Sequence, residues 1–204
     1  MPDETKATPQ PTLETYHAWL EIWLAALTRP SVATYEKLIR QPGATAKQAV
    51  IWIIASGLIS GVAGVVTPLF SQLSRREPID AALLLGVPAI AVVAALYWSI
   101  FAACTQWAAR LLRGAGTYQT LAYAFAAFSA PLTIAASLLA LIPRSGILLF
   151  GLYLYWLVLY AVATRSVHRF SLAKAVGSVL ISVLLLAAVI LGTAFLMVSL
   201  GRRL

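Results

Sequence analysis

Two long uncharged stretches in the middle of the chain decide the fold. The first, GAGTYQTLAYAFAAFSAPLTIAASLLALIP, occupies residues 114–143, and the second, SGILLFGLYLYWLVLYAVAT, occupies residues 145–164. A helix needs about 20 predominantly apolar residues to cross a bilayer, so each stretch is long enough for one span. Between them, the segment from Pro143 to Gly146 contains turn-forming residues and a cation, Arg144. The two stretches therefore predict a transmembrane hairpin.

The composition of the whole chain indicates the same class of protein. Of the 204 residues, 61% are hydrophobic and 11% are charged, which leaves too little polar surface for a soluble domain of this size. The net charge of +8 comes from Lys and Arg residues that stand singly or in pairs between apolar runs. This placement is typical of charges that flank membrane spans, not of a nucleic-acid-binding surface. The sequence predicts an all-α membrane protein and no nucleic-acid partner.

The same reasoning predicts five spanning helices, which form a transmembrane bundle over residues 47–201. Pro88 is expected near the start of the second span, where a missing amide hydrogen costs least. The first span contains three glycines whose spacing favours close helix packing, either within the chain or in a dimer: Gly57, Gly61 and Gly64. The predicted boundaries of the spans are about 49–70, 88–109, 118–141, 147–164 and 175–199.

The residues before the first span divide into two parts. Residues 1–12 are polar and contain three prolines, which predicts a disordered tail. Residues 13–46 predict two short amphipathic helices, at about 13–28 and 31–41. The first could lie at the membrane interface with its aromatic side chains at headgroup depth, or it could pack against the cytoplasmic side of the protein itself. The aromatic anchors proposed for it are Tyr16, Trp19 and Trp23.

The distribution of Lys and Arg predicts the orientation of the chain. With the N-terminus inside, the cytoplasmic segments carry ten Lys and Arg residues and the other side carries five. The positive-inside rule favours this arrangement, so we expect a cytoplasmic N-terminus and an external C-terminus. Five of the cytoplasmic cations are candidates for contact with anionic lipid or a membrane-protein partner: Arg110, Arg113, Arg165, Arg169 and Lys174.

Catalytic and metal-binding chemistry has little support in the sequence. All seven Asp and Glu residues lie at or before Asp80, and the predicted spans contain no ionisable side chain other than tyrosines and Cys104. Ion-coupled transport and metal sites usually require a carboxylate or a histidine inside the bundle. We therefore expect no enzyme activity, no cofactor and no metal. His168, in a predicted basic loop, is expected to face solvent or headgroups.

Two features of the spans could still be functional. Pro131 lies in the middle of the third span and is expected to kink it, either beside a cavity or as a packing distortion, and Pro143 closes the hairpin. The fourth span carries an aromatic stripe at helical spacing, which could line a lipid groove or form a packing seam against Tyr123 or Phe128. The stripe consists of Tyr153, Trp156 and Tyr160.

Several short motifs occur in a characteristic order along the chain. They are IWLAALTRP at 22–30, GTYQTLAY at 116–123, SAP at 129–131, LIP at 141–143 and ATRSVH at 163–168. Together with five predicted spans, this order resembles the Yip domain family, membrane proteins named for interaction with Ypt/Rab GTPases, and the short prokaryotic members in particular.

The resemblance implies a non-enzymatic integral membrane protein that acts by protein or lipid interaction at its cytoplasmic face. It also implies a multi-pass location in the plasma (inner) membrane and no catalytic residues. The alternative function is a small passive lipid or solute translocator, with a cavity beside the kinked third span. The oligomeric state is left open by the sequence.

Overall fold

The computed structural model describes residues 13–78 and 80–201, and all regular secondary structure within these residues is helical. Five of the helices, α3 to α7, are long and apolar enough to cross a membrane. This confirms the predicted all-α fold with five spanning helices, whereas the predicted tail at 1–12 lies outside the described residues. The helices are α1 (Leu13–Thr28), α2 (Val32–Ile39), α3 (Ala46–Ser74), α4 (Ala81–Leu111), α5 (Tyr118–Ala140), α6 (Gly146–His168) and α7 (Leu172–Gly201).

Hydrogen-bonding side chains mark the starts of four helices. The Asp80 carboxylate accepts a hydrogen bond from the Ala82 amide at 2.8 Å and so caps α4. A side-chain oxygen at this position satisfies a backbone amide that has no partner within the helix. The hydroxyls that serve in the same way at the starts of α2, α3 and α5 belong to Ser31, Thr45 and Thr117.

Arginines in the left-handed conformation follow the ends of α3 to α6. Glycine is the usual residue there, because it has no Cβ to strain the backbone. Arginine instead places a cation near the carbonyls that a helix leaves unpaired at its C-terminus. The attraction between this cation and the partial negative charge of the carbonyls is favourable. The four residues and their φ angles are Arg76 (55°), Arg113 (65°), Arg144 (65°) and Arg169 (54°).

The spanning helices alternate in direction, and α5 lies at the centre of the bundle. It contacts α1, α2, α3, α4 and α6, while α7 packs against α4 and α6. Every residue from Leu121 to Ala130 in α5 is buried. Five of these ten residues are alanine, and small side chains let neighbouring backbones approach closely in a membrane, where packing drives helix association.

Several helix boundaries differ from the predicted ones. The second span begins at Ala81, so Pro88 lies inside α4 and not near its start. A membrane helix tolerates an internal proline when neighbouring groups or local adjustments satisfy the freed carbonyl. The fourth span continues to His168, so the predicted loop at 165–174 shrinks to the residues between α6 and α7. Helices can run past the hydrocarbon layer, since their ends are set by capping and packing and not by the position of charges.

Candidate functional site

One end of the bundle gathers the two N-terminal helices and most of the described cations. The starts of α3, α5 and α7 and the ends of α4 and α6 meet there. The Tyr155 hydroxyl of α6 donates a hydrogen bond to the Leu27 carbonyl of α1. The Ser166 hydroxyl shares its proton between the Val162 carbonyl of its own helix at 2.9 Å and the Val32 carbonyl of α2 at 3.3 Å. These bonds hold both short helices at this end, which we call the basic end.

The basic end differs from the opposite end in charge. Among the described side chains it has two carboxylates, Glu21 and Glu36, whereas the opposite end has Glu77 and Asp80. Three described cations lie at the opposite end: Arg75, Arg76 and Arg144. Nine described cations lie at the basic end: Arg29, Lys37, Arg40, Lys47, Arg110, Arg113, Arg165, Arg169 and Lys174. Among the described side chains, the excess positive charge is therefore concentrated at the basic end.

All five cations predicted to contact lipid or a partner are exposed at the basic end: Arg110, Arg113, Arg165, Arg169 and Lys174. Lys174 extends its ammonium over the ring of Phe170, 5.9 Å from the ring centre, so its direction is partly fixed. Within the described part of the chain, none of the five forms an ion pair, and the recorded pair joins Glu36 and Arg40 at 3.7 Å. Their charge is thus available to ligands.

The tryptophans of α1 face the bundle. Trp19 and Trp23 pack edge-on against Trp52 of α3, with ring centres 6.2 and 6.0 Å apart. On the outer side of α1, Leu20 and Leu24 are 52% and 58% exposed. Of the two arrangements predicted for α1, these contacts correspond to the one in which the helix packs against the protein itself. The side chain of Tyr16 lies outside the described residues.

Tyr35 fixes α2 between α1 and α5. Its side chain is fully buried, its ring packs edge-on against Phe128 at 6.2 Å, and its hydroxyl donates to the Ala26 carbonyl at 3.3 Å. Burial raises the pKa of the Tyr35 phenol, because the charged form would lose its hydration. The hydroxyl therefore remains a hydrogen-bond donor, and the two N-terminal helices form one unit with the bundle.

A groove of about 430 Å³ lies farther along the bundle, between α4, α6 and α7. The stripe predicted from the sequence contributes three of its lining residues: Tyr153, Trp156 and Tyr160. The other lining residues are Tyr97, Phe101, Leu157 and Val183. The ring centre of Tyr160 also lies 4.9 Å from that of Phe128, which agrees with the alternative prediction of a packing seam against Tyr123 or Phe128. Tyr123 instead packs against Trp52, with ring centres 5.1 Å apart.

Hydrogen bonds and ring contacts make the inner wall of the groove rigid. Trp156 Nε1 donates to Ser129 Oγ at 3.2 Å, and the same oxygen lies 3.2 Å from the Tyr160 hydroxyl. Tyr160 is 8% exposed and contacts Phe101 with ring centres 4.6 Å apart. Pro131 is not among the lining residues, although it lies in the same helix as Ser129. The groove is thus separate from the cavity that the sequence suggested beside Pro131.

The family of the chain follows from a comparison with protein-family models. The model described as the Yip1 domain matches residues 24–194, which is most of the chain. The chain belongs to the Yip1 domain family. This confirms the predicted resemblance and, with the five candidate spans, a multi-pass integral membrane protein. No curated protein and no solved structure matches the chain.

Two glycines of this Yip1 domain allow α3 and α4 to touch. A Cβ on Gly57 would lie 2.7 Å from the Ala91 Cα, and a Cβ on Gly61 would lie 2.7 Å from the Val87 carbonyl oxygen. Both distances are far below van der Waals contact, so only glycine fits. At Gly64 the nearest atom would be 3.6 Å away, an ordinary contact. The first two glycines therefore serve packing within the chain.

The Yip1 domain buries His168, and the prediction that this side chain faces solvent or headgroups was wrong. His168 is 2% exposed, and its Nδ1 accepts a hydrogen bond from the Gly116 amide at 3.1 Å. Gln106 Nε2 donates to the Gly116 carbonyl at 2.9 Å. The loop can cross the imidazole because it has glycines there, since a Cβ on Gly114 would lie 2.6 Å from Nδ1. The spacing Gly114-x-Gly116 was the available signal for this close approach.

The described residues of the Yip1 domain contain no group of three or more His, Cys, Asp or Glu side chains that could hold a metal ion. Cys104 is a free thiol on α4. What the structure provides is an exposed cationic surface at one end and an aromatic groove within the bundle. Both are binding features, suited to anions and to apolar molecules respectively.

Proposed function

We propose that this protein is a non-enzymatic integral membrane protein that binds anionic lipid headgroups at its basic end. The supporting observation is the charge difference between the two ends, nine cations with two carboxylates against three with two among the described side chains. A cation near an anionic membrane surface gains about 1 kcal/mol, an attraction screened over about 8 Å at physiological ionic strength. The basic end is the cytoplasmic face in this proposal.

The kind of cation also supports binding to phosphate. Four of the five exposed cations on α4, α6, α7 and their connecting loops are arginines, and the fifth is Lys174. A guanidinium presents two parallel N–H groups that match the oxygens of a phosphate. Arg113 and Arg169 both have a left-handed backbone conformation at the end of a helix. This conformation turns the backbone away from the helix axis. A phosphate-bearing headgroup suits this surface better than a single carboxylate.

Removing three of these charges should weaken lipid binding. We expect the triple variant R165Q, R169Q and K174Q to bind phosphatidylglycerol up to about a hundredfold more weakly at low salt, because each charge contributes about 1 kcal/mol. Bound phosphatidylglycerol and phosphatidylcholine would be counted by native mass spectrometry of the detergent-solubilised protein. Equal retention of phosphatidylglycerol by the variant and the wild type would refute the proposal.

The chain offers a matched control for this experiment. The triple variant R75Q, R76Q and R144Q removes the same charge from exposed positions at the opposite end. We expect it to keep the phosphatidylglycerol bound by the wild type. If the two triple variants lose lipid equally, total charge and not the basic end determines binding. If the basic-end variant loses a copurifying acidic protein but no lipid, the occupant is a protein partner.

The proposed orientation is tested separately. A phosphatase reporter fused after Leu204 should be active, because the C-terminus is expected to be external in a plasma (inner) membrane. The same reporter fused at Gly114, in the loop between α4 and α5, should be inactive, since this loop belongs to the basic end. The opposite pair of activities would show that the basic end faces outward, away from the cytoplasmic leaflet.

A further inference from the structure

The groove between α4, α6 and α7 has polar groups at an unusual depth. At about 1.5 Å per residue, Tyr153 lies about 10 Å from Gly146 at one end of α6 and about 22 Å from His168 at the other. Tyrosines of membrane proteins are concentrated at the two interfaces, where their hydroxyls contact water and headgroups. Tyr153 and Tyr97, which line the groove from α6 and α4, instead lie away from the ends of two candidate spans.

The hydroxyls inside the groove and those at its mouth differ in hydrogen bonding. Tyr160 is 8% exposed, and its hydroxyl is paired with Ser129. Tyr97 and Tyr153 are 51% and 53% exposed, and neither hydroxyl makes a hydrogen bond within the described residues. Without water in the bilayer core, an unsatisfied polar group is costly. A ligand that brings hydrogen-bond acceptors to the mouth would remove that cost.

The aromatic rings in the wall of the groove form a parallel series. The rings of Tyr153 and Trp156 are parallel within 3° and their centres lie 6.0 Å apart. The rings of Trp156 and Tyr160 have the same angle and a spacing of 6.4 Å. An offset series of parallel rings can be extended by another planar ring, which gains from stacking as well as from burial. The volume of about 430 Å³ falls in the range of small-molecule sites.

We infer that this groove binds a prenylated quinone, with the quinone ring packed beside this ring series and its carbonyl oxygens accepting hydrogen bonds from Tyr97 and Tyr153. A quinone combines the three required properties, which are a planar ring, two acceptor oxygens and an apolar tail that keeps it inside the bilayer. A phospholipid acyl chain fits the apolar lining but carries its ester oxygens at the interface. A neighbouring helix uses its carbonyls in its own hydrogen bonds. This inference does not depend on the basic end.

The hydroxyls can be removed without removing the rings. The double variant Y97F and Y153F should bind decyl-benzoquinone about tenfold more weakly or worse, because two hydrogen bonds are lost in an apolar site. Binding would be followed in detergent by quenching of tryptophan fluorescence. The variant W156F keeps a ring in the wall and should lose most of the quinone-dependent quenching. The matched control Y118F changes a tyrosine at the start of α5, outside the groove, and should bind as the wild type does.

A second probe separates a quinone site from a general apolar slot. Decylbenzene has a planar six-membered ring and the same tail but no carbonyl oxygens, and we expect it to compete only weakly with decyl-benzoquinone. Equal competition by decylbenzene would overturn the inference and indicate an acyl-chain groove. Unchanged affinity in the double Phe variant, or unchanged quenching in W156F, would overturn it as well. Both Tyr side chains are half exposed, so the substitutions leave the packing of the bundle intact.

Discussion

Replacing Trp52 with alanine is expected to loosen α1 from the bundle and to lower the free energy of unfolding by about 3 to 5 kcal/mol. Trp52 is fully buried, and it contacts Trp19 and Trp23 on one side and Tyr123 on the other. Alanine would leave a cavity at the point where α1, α3 and α5 meet. Hydrogen–deuterium exchange should show faster exchange across Leu13–Thr28, and thermal unfolding in detergent should show the loss of stability.

The control for this prediction is Trp107 in α4, which is 53% exposed. The variant W107A removes the same side chain from an exposed position, where no cavity forms. We expect it to unfold near the wild-type temperature and to leave exchange in α1 unchanged. Slow exchange of α1 in W52A would show that the hydrogen bonds to Leu27 and Val32 are sufficient to hold the N-terminal helices.

The double variant G57A and G61A is expected to destabilise the bundle by about 2 to 6 kcal/mol, taking about 1 to 3 kcal/mol for each overpacked site. The new methyl groups would meet backbone atoms of Ala91 and Val87 at 2.7 Å, and backbone cannot move aside as a flexible side chain can. The α3–α4 contact must therefore widen. Thermal unfolding in detergent would measure the loss, and light scattering would report the oligomeric state.

The neighbouring glycine supplies the control. G64A adds a methyl group at an ordinary contact distance of 3.6 Å, so its stability should stay within about 1 kcal/mol of the wild type. The experiment also tests the other sequence interpretation of these glycines, a dimer face. If G57A and G61A dissociate a dimer while the monomer keeps its stability, the glycines serve contact between two copies and the α3–α4 argument fails.

Hydropathy was enough to predict the number of spans but not their ends. The uncharged stretches in the chain are long, and the requirement for about 20 apolar residues leaves little ambiguity in counting them. The ends depend on capping, which is local chemistry of another kind. Asp80 caps α4 at Ala81, ahead of the start predicted at Pro88, and α6 continues past Arg165 because the helix carries that side chain on its exposed side. Charges therefore mark where the membrane ends and not where the helix ends.

The site residues divide according to whether their signal is local. The stripe of Tyr153 and Trp156 repeats at helical spacing within one segment, so a sequence reading could find it. Tyr97 joins the groove from α4, and nothing in its own surroundings predicts that pairing. His168 likewise meets Gly116 across 52 positions of sequence. Contacts between distant segments depend on which helices become neighbours, which hydrophobic periodicity does not specify.

The hydrogen bonds from α6 to α1 and α2 have a consequence for the order of events during synthesis. Tyr155 and its partner Leu27 are 128 residues apart, which at about 5 to 20 residues per second corresponds to a delay of about 6 to 26 s in translation. The N-terminal helices are made first, yet their bonds to α6 form only after the fourth span has left the ribosome. In a chain that stalls after α5, the N-terminal helices therefore keep their contacts with Trp52 and Phe128 but lack the two hydrogen bonds from α6.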